Sequence, residues 1–131
     1  MSLRDDILSA LQADAQLTPL LLGGIYAEAI SRQDTPDAFD ANSELQPCAV
    51  VTLETETPTG PYANAARLFF SVYFYGNVDD AARERVFALL HRQKIGTRVW
   101  TIEHADDVLN QTDPGLNVGM MLSRYVATRL R

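Results

Sequence analysis

Apolar residues at the start of the chain recur with the spacing of a helix, at Leu3, Ile7, Leu8 and Leu11. Residues three and four positions apart share one helical face, so this spacing predicts a helix from about Leu3 to Ala13. Thr18 before Pro19 is a typical helix start, because the hydroxyl can cap a first turn and the proline already has a helical φ. A second, shorter helical segment is therefore expected before Gly23 and Gly24.

Three runs of β-branched and aromatic residues then predict strands, over Ile25 to Ile30, Cys48 to Thr55 and Arg67 to Tyr75. In the third run apolar residues occupy both alternating faces, with Phe70 on one face and Phe69 on the other. Apolar side chains on both faces are typical of a strand that is covered on both sides. We therefore expect this run to form the centre of the sheet.

A helix is expected directly after the central strand, from about Val78 to Gln93. Asp79 and Asp80 lie in its first turn, where the positive end of the helix dipole favours acidic side chains. Val86 lies on the apolar face that we expect to pack against the sheet. The β-branched and aromatic residues from Val99 to Ile102 predict a further strand.

The end of the chain combines turn signals with an ambiguous apolar pattern. Asp106 to Asn117 is predicted to be mainly loop, because it contains Asp113-Pro114-Gly115 and two asparagines. A short extended piece at Val108-Leu109 within this loop is left open. Gly119 to Leu130 fits either a helix or a strand by its spacing. A strand is favoured, because the sequence from Tyr125 to Thr128 contains several residues that favour strands.

Taken in order, these elements predict an α+β fold. The expectation is a single domain over residues 1–131, with a mainly antiparallel sheet of about four to five strands and two or three helices packed on one face. A chain of 131 residues with 47% hydrophobic and 21% charged residues can bury such a core.

The charge and cysteine content exclude several classes of protein. A net charge of −6 repels phosphate backbones, so no specific nucleic-acid binding is expected. A single cysteine forms no internal disulfide, which is typical of a cytoplasmic protein. The apolar runs are shorter than a membrane helix requires, so no membrane association is expected.

Few residues suggest catalytic or metal chemistry. His104 lies near Asp106 and Asp107, which is compatible with a metal site or a general base, but a second histidine with ligand spacing is missing. Cys48 begins an apolar strand, which favours a small buried residue over a nucleophile. We expect no catalytic residues, no metal and no cofactor, and therefore no enzyme.

An acidic segment before the second predicted strand contains five oxygen-bearing side chains, at Asp34, Asp37, Asp40, Asn42 and Glu44. Oxygen ligands suit calcium, but their spacing does not match a calcium-binding loop. A solvated acidic loop is the favoured interpretation.

Two predicted loops carry isolated apolar residues. Phe39 and Leu45 lie in the polar segment from Ser31 to Pro47, and Tyr62 lies in the segment from Thr57 to Asn64. Long irregular segments in a compact domain are often functional, so these three residues are candidate interface residues. Solitary exposed apolar residues are also common on monomers.

The order of segments up to about residue 92 resembles a known family. The matching pieces are Leu-Gln-Ala-Asp-Ala-Gln-Leu at Leu11 to Leu17, Leu-Leu-Gly-Gly-Ile-Tyr at Leu21 to Tyr26, the polar loop before Pro47-Cys-Ala-Val-Val, the strand Arg67 to Tyr75 and the helix Ala81 to Leu90. In this order of pieces the chain resembles the phage tail-completion or tail-terminator proteins.

The resemblance implies a structural assembly protein of a phage or prophage tail. Its subunits would form a ring, commonly a hexamer, that terminates the tail tube and meets the head-tail connector. The resemblance also implies a location in the virion tail after assembly in the bacterial cytoplasm. In such a ring two different faces of each subunit meet.

Other functions stay open on the sequence. A neck or head-tail connector subunit and a tail tube subunit are alternatives at the same junction. A small ligand-binding oligomeric α+β regulator and a small enzyme with an unrecognised site belong to different classes.

Overall fold

The computed structural model describes residues 3–27, 29–58, 65–76, 78–96, 99–116 and 118–130. Within them the α-helices and strands are α1 (Leu3–Gln12), β1 (Gly24–Tyr26), β2 (Cys48–Pro58), β3 (Ala65–Tyr75), α2 (Asp80–Leu90), β4 (Val99–Asp113) and β5 (Val118–Leu130). Short 3₁₀ helices occur at Thr18–Leu20 and Pro36–Ala38.

The five strands of the described residues form one sheet in the order β1-β2-β3-β5-β4. The β1–β2 pair is parallel, and the pairs β2–β3, β3–β5 and β4–β5 are antiparallel. This arrangement confirms the predicted α+β fold with a mainly antiparallel sheet. It also confirms the predicted strand at the end of the chain, which pairs with β3 from Met120 to Leu130.

The core lies between the two α-helices and one face of the sheet. The helices contribute Leu3, Ile7, Leu11, Ala82, Val86 and Leu90, all buried. Phe70 and Val72 of β3 face them from the centre of the sheet, and Tyr125 of β5 stacks on Phe70 with ring centroids 5.5 Å apart. Helical periodicity therefore identified both packing faces correctly.

The helix α2 begins later and ends earlier than predicted, at Asp80 and Leu90. Asp79 is its N-cap, because its side chain accepts a hydrogen bond of 3.0 Å from the Ala81 amide. An aspartate at this position satisfies one of the amides that a first turn leaves without a partner.

The prediction of a loop over Asp106 to Asn117 was wrong, because β4 continues to Asp113. Val108 pairs with Leu122, and Gln111 pairs with Met120. The polar residues of this segment lie on an edge strand, where one side of the backbone and much of each side chain face solvent. Asn110, a residue type that favours turns, adopts a φ of 57° and lies at the register shift between Val108 and Gln111. It therefore forms part of a bulge within the strand.

The two faces of β3 differ in what covers them. Phe70, Val72 and Phe74 point into the helix-facing core, whereas Phe69 is 37% exposed on the outer face. Residues Ala29 to Arg32 face Tyr75 on this outer side across a cavity of about 400 Å³. In the part of the chain described, no helix is both long and apolar enough to cross a membrane.

Candidate functional site

The residue that the sequence singled out, His104, belongs to a polar cluster between α2 and the β4–β5 hairpin. The His104 Nε2 atom lies 2.9 Å from Asp107 Oδ1, and Arg83 Nη1 of α2 donates to Asp107 Oδ2 at 2.7 Å. Asp106 does not join them and pairs with Arg124 on the surface, at 3.5 Å. Of the two carboxylates that lie near His104 in the sequence, Asp107 contacts its ring and Asp106 does not.

A bulge in β4 explains why Asp107 faces His104. Residues three apart in a regular strand point to opposite faces of the sheet. The register shifts between His104 and Asp106, so that His104 pairs with Tyr125 while Asp107 pairs with Ser123. Both side chains consequently point toward α2.

The Asp107 carboxylate is held in its ionised form. Burial opposes ionisation, but Ser123, His104 and Arg83 together outweigh it and lower the pKa of this carboxyl below its ordinary value. The Ser123 hydroxyl lies close enough to contribute but forms no well-aligned hydrogen bond with a described atom. The cluster is thus an ion pair that ties α2 to the hairpin.

His104 is held in place by several contacts. Its amide donates to His91 Nδ1 at 3.0 Å, and its ring packs edge-on against Phe87 and Tyr125 with centroids 5.3 and 5.2 Å apart. Across the described residues, no group of three or more histidine, cysteine or acidic side chains is placed to hold a metal ion. The arrangement orients His104 without assembling a three-ligand metal site from the residues that the structure describes.

Cys48 is fully buried at the start of β2, as its position in an apolar strand predicted. Burial raises the pKa of its thiol to about 12. The thiolate is the nucleophilic form, so the geometry disfavours nucleophilic chemistry at this residue.

The candidate interface residues Phe39 and Leu45 lie in an ordered segment. They form an isolated antiparallel bridge, and both side chains are half-buried. The Arg32 guanidinium lies 4.9 Å from the centre of the Phe39 ring. Tyr62 lies outside the described residues.

Sequence reasoning missed a set of exposed apolar residues at the two edges of the sheet. Leu22, just before β1, is 68% exposed, whereas Trp100 and Leu109 of β4 are 55% and 45% exposed. Four inter-strand spacings of about 4.8 Å separate these edges, roughly 19 Å in all. Their exposure depends on which strands end up at the edges, and no local pattern encodes that.

The β1 edge combines Leu22 with an apolar pocket. Leu21, Ile25 and Tyr26 contribute to its wall, and its volume is about 360 Å³. The Gln12 side chain donates to the Ile25 carbonyl at 2.8 Å, which occupies a backbone acceptor of this short strand. This edge is therefore suited to side-chain contacts and not to the addition of another strand.

The β4 edge presents its apolar residues at bulges. Trp100 lies at the register shift between Val99 and Thr101, and Leu109 lies at the shift between Val108 and Gln111. Bulges redirect side chains and interrupt the regular row of backbone groups that another strand would need. This edge too is built for side-chain contacts.

The turn after α2 occupies backbone groups of β4 between these two bulges. The Ile102 amide donates to the Gln93 carbonyl at 3.0 Å, and the Arg92 amide donates to the Ile102 carbonyl at 2.6 Å. With the His91 contact to the His104 amide, this part of the edge is already hydrogen-bonded. Trp100 and Leu109 therefore lie on either side of a stretch of β4 whose backbone already forms hydrogen bonds with the turn after α2.

No protein-family model matches the chain, and no curated protein shows significant similarity to it.

Proposed function

We propose that the chain is a structural assembly protein of a phage or prophage tail. Copies of it join into a ring that terminates the tail tube and connects the tube to the head. The order of sequence segments, from the opening helix to α2, supports the family assignment. The geometry of the sheet edges supports self-association.

The observation that carries this proposal is the pair of different apolar surfaces at opposite edges of one sheet. A closed ring needs a head-to-tail contact in which one surface of a subunit meets a different surface of the next. Leu22 and its pocket form the first surface, which we call the β1 surface. Trp100 and Leu109 form the second, the β4 surface.

Charge is compatible with the same role. The net charge of −6 disfavours adhesion to DNA that passes along a tail. Phe39 and Leu45 add partly exposed apolar area, which we assign to contacts with the tail tube or the head-side connector.

Measuring the mass in solution tests self-association. Light scattering and native mass spectrometry across micromolar to millimolar concentration should show a shift from monomer to one closed oligomer. Leu22→Asp and Trp100→Asp should each keep the protein monomeric, because a charge in an apolar contact is costly. Phe69→Ser, which changes an exposed aromatic residue away from both edges, is the control and should assemble normally.

A mass that stays monomeric over the whole range would contradict self-association of the isolated chain. The genes beside the coding gene test the biological assignment separately, because a tail tube or tape-measure gene is expected there. Neighbouring genes of metabolic enzymes alone would contradict it.

A further inference from the structure

The chain has a single tryptophan, and it lies on the β4 edge of the sheet. Trp100 is 55% exposed, whereas Val99 and Ile102 of the same strand are buried. A register shift between Val99 and Thr101 places it at a bulge, and bulges redirect side chains. Tryptophan is enriched among the residues that contribute most to protein–protein binding, because its ring buries a large apolar area. Trp100 is therefore suited to anchor a contact through the β4 surface.

The apolar pocket at the opposite edge, which we call the β1 pocket, is suited to such a ring. Its volume is about 360 Å³, and its lining includes Leu22, Ile25 and Tyr26. Sites that bury small organic ligands have volumes of about 300–1,000 Å³. The Tyr26 hydroxyl already donates to the Gly23 carbonyl at 2.6 Å, so it does not require a polar occupant. The Thr18 hydroxyl also lines the pocket and can accept a hydrogen bond from an indole N–H.

We propose that Trp100 of one copy of the chain fills the β1 pocket of the next copy. The two features lie at opposite edges of one five-stranded sheet, about 19 Å apart, so they cannot meet within one chain. A second copy provides the pocket for the exposed ring and the ring for the open pocket. This contact rests on the proposed function, because it specifies which side chain joins the two surfaces of the proposed ring.

Positive charge lies beside Trp100. Arg92 and Lys94 are exposed in the turn after α2. This turn is held against β4, because the Arg92 amide donates to the carbonyl of Ile102, two residues beyond Trp100. Glu103 is the exposed acidic residue nearest to Trp100 in the sequence, and the two cations outnumber it. The β4 surface therefore carries positive charge around its aromatic anchor.

Negative charge lies in the segment that returns to the β1 pocket. This acidic segment, residues 31–47, ends at Pro47, whose carbonyl accepts a hydrogen bond of 2.8 Å from the Gly23 amide. Gly23 directly follows Leu22 of the pocket lining. The segment has four acidic residues and one arginine, Arg32. Its exposed acidic residues are Asp34, Asp37 and Glu44.

These charges favour a head-to-tail contact over a symmetric one. Two β4 surfaces that faced each other would bring the cations of two turns together, and two β1 surfaces would bring two acidic segments together. A β4 surface against a β1 surface instead places opposite charges around a buried ring. Charges at the rim of an interface raise the association rate and make binding sensitive to salt.

Tryptophan fluorescence tests this contact, because Trp100 is the single source of tryptophan emission. Leu22→Asp keeps Trp100 but disables the β1 pocket, and Trp100→Ala keeps the pocket but has no tryptophan. Titrating the first variant with the second should shift the emission to shorter wavelength and protect it from iodide quenching, with saturation at one to one. The double variant, which lacks both features, is the control and should leave the emission unchanged. Both positions are more than half exposed, so the variants should fold, which circular dichroism checks.

Reversing the charge of the turn tests the electrostatic part of the contact. Arg92→Glu together with Lys94→Glu, introduced into the Leu22→Asp variant, should weaken binding to Trp100→Ala by roughly tenfold at low salt, and high salt should reduce this difference. Arg67→Glu, an exposed charge reversal on the central strand, is the matched control and should change the affinity by less than about twofold. Equal binding by the charge-reversed and unmodified turns would contradict the role of the charges.

Native mass spectrometry of the same mixtures separates this contact from self-association as such. A heterodimer whose Trp100 emission is unchanged would overturn the insertion of Trp100 into the pocket and leave assembly through the two edges intact. The absence of a heterodimer from two folded variants would overturn both. An emission shift caused equally by the double variant would show that Trp100 is buried somewhere other than the β1 pocket.

Discussion

At the scale of single residues, adjacent side chains of the central strand have very different surroundings. Phe70 is fully buried and stacks on Tyr125, whereas Phe69 points to the outer face and is 37% exposed. The alternation of a strand places them on opposite sides of the sheet. The same residue type therefore contributes unequally to stability at two neighbouring positions.

This pair gives an internally controlled prediction. Phe70→Ala leaves a cavity in the core and should lower the free energy of unfolding by about 3–5 kcal/mol. Phe69→Ala should lower it by less than about 2 kcal/mol, because much of the ring already contacts solvent. Urea unfolding of both variants measures the difference. Equal losses would show that the assignment of the two faces is wrong.

Asp107 gives a pH-dependent prediction. Its pKa is lowered in the folded protein, so the unfolded chain binds more protons in the acid range. The stability that its ionisation provides is present above the ordinary value of 3.8 and is lost as the pH falls through the lower folded value. Asp107→Asn should cost about 1–3 kcal/mol at neutral pH and progressively less in acid.

Urea unfolding at neutral pH and in acid measures this effect. Asp106→Asn is the control, because Asp106 is 56% exposed and its ion pair with Arg124 is a surface pair. If Asp107→Asn were as costly in acid as at neutral pH, ionisation of Asp107 would not be the source of the stabilisation.

At the scale of elements, the sequence predicted both α-helices, the central strand and the final strand. These segments have either strong helical periodicity or many β-branched and aromatic residues. In each of them the tertiary packing favours the same element as the local sequence pattern. The second half of β4 was predicted to be mainly loop, with only a short extended piece at Val108-Leu109 considered, because most residues from Asp106 to Asp113 are polar and favour turns. Pairing with β5 outweighs those local preferences.

Asn110 tests this interpretation of β4. It adopts a φ of 57°, a conformation that asparagine and glycine tolerate and β-branched residues do not. Asn110→Gly should therefore be nearly neutral, whereas Asn110→Val should cost about 1–2 kcal/mol. Thermal unfolding of the two variants provides the measurement. A Val variant as stable as the Gly variant would argue against a bulge at this position.

At the scale of the whole molecule, the two edges of the sheet determine how copies can meet. Leu22 lies beside β1, and Trp100 and Leu109 lie on β4, at the opposite end of the sheet. The sequence could not predict this distribution, because strand order depends on long-range pairing. The sequence did identify Phe39 and Leu45 as partly exposed residues, and their role in an interface stays a prediction.

Mixing two complementary variants tests the proposed head-to-tail contact most directly. Leu22→Asp disables the β1 surface and Trp100→Asp disables the β4 surface, so neither variant can join copies of itself. In the mixture, the intact β4 surface of one variant can meet the intact β1 surface of the other. Native mass spectrometry should then show a heterodimer of one copy of each variant and no larger ring. A mixture that remains monomeric while both variants are folded, or rings formed by either variant alone, would contradict assembly through these two edges.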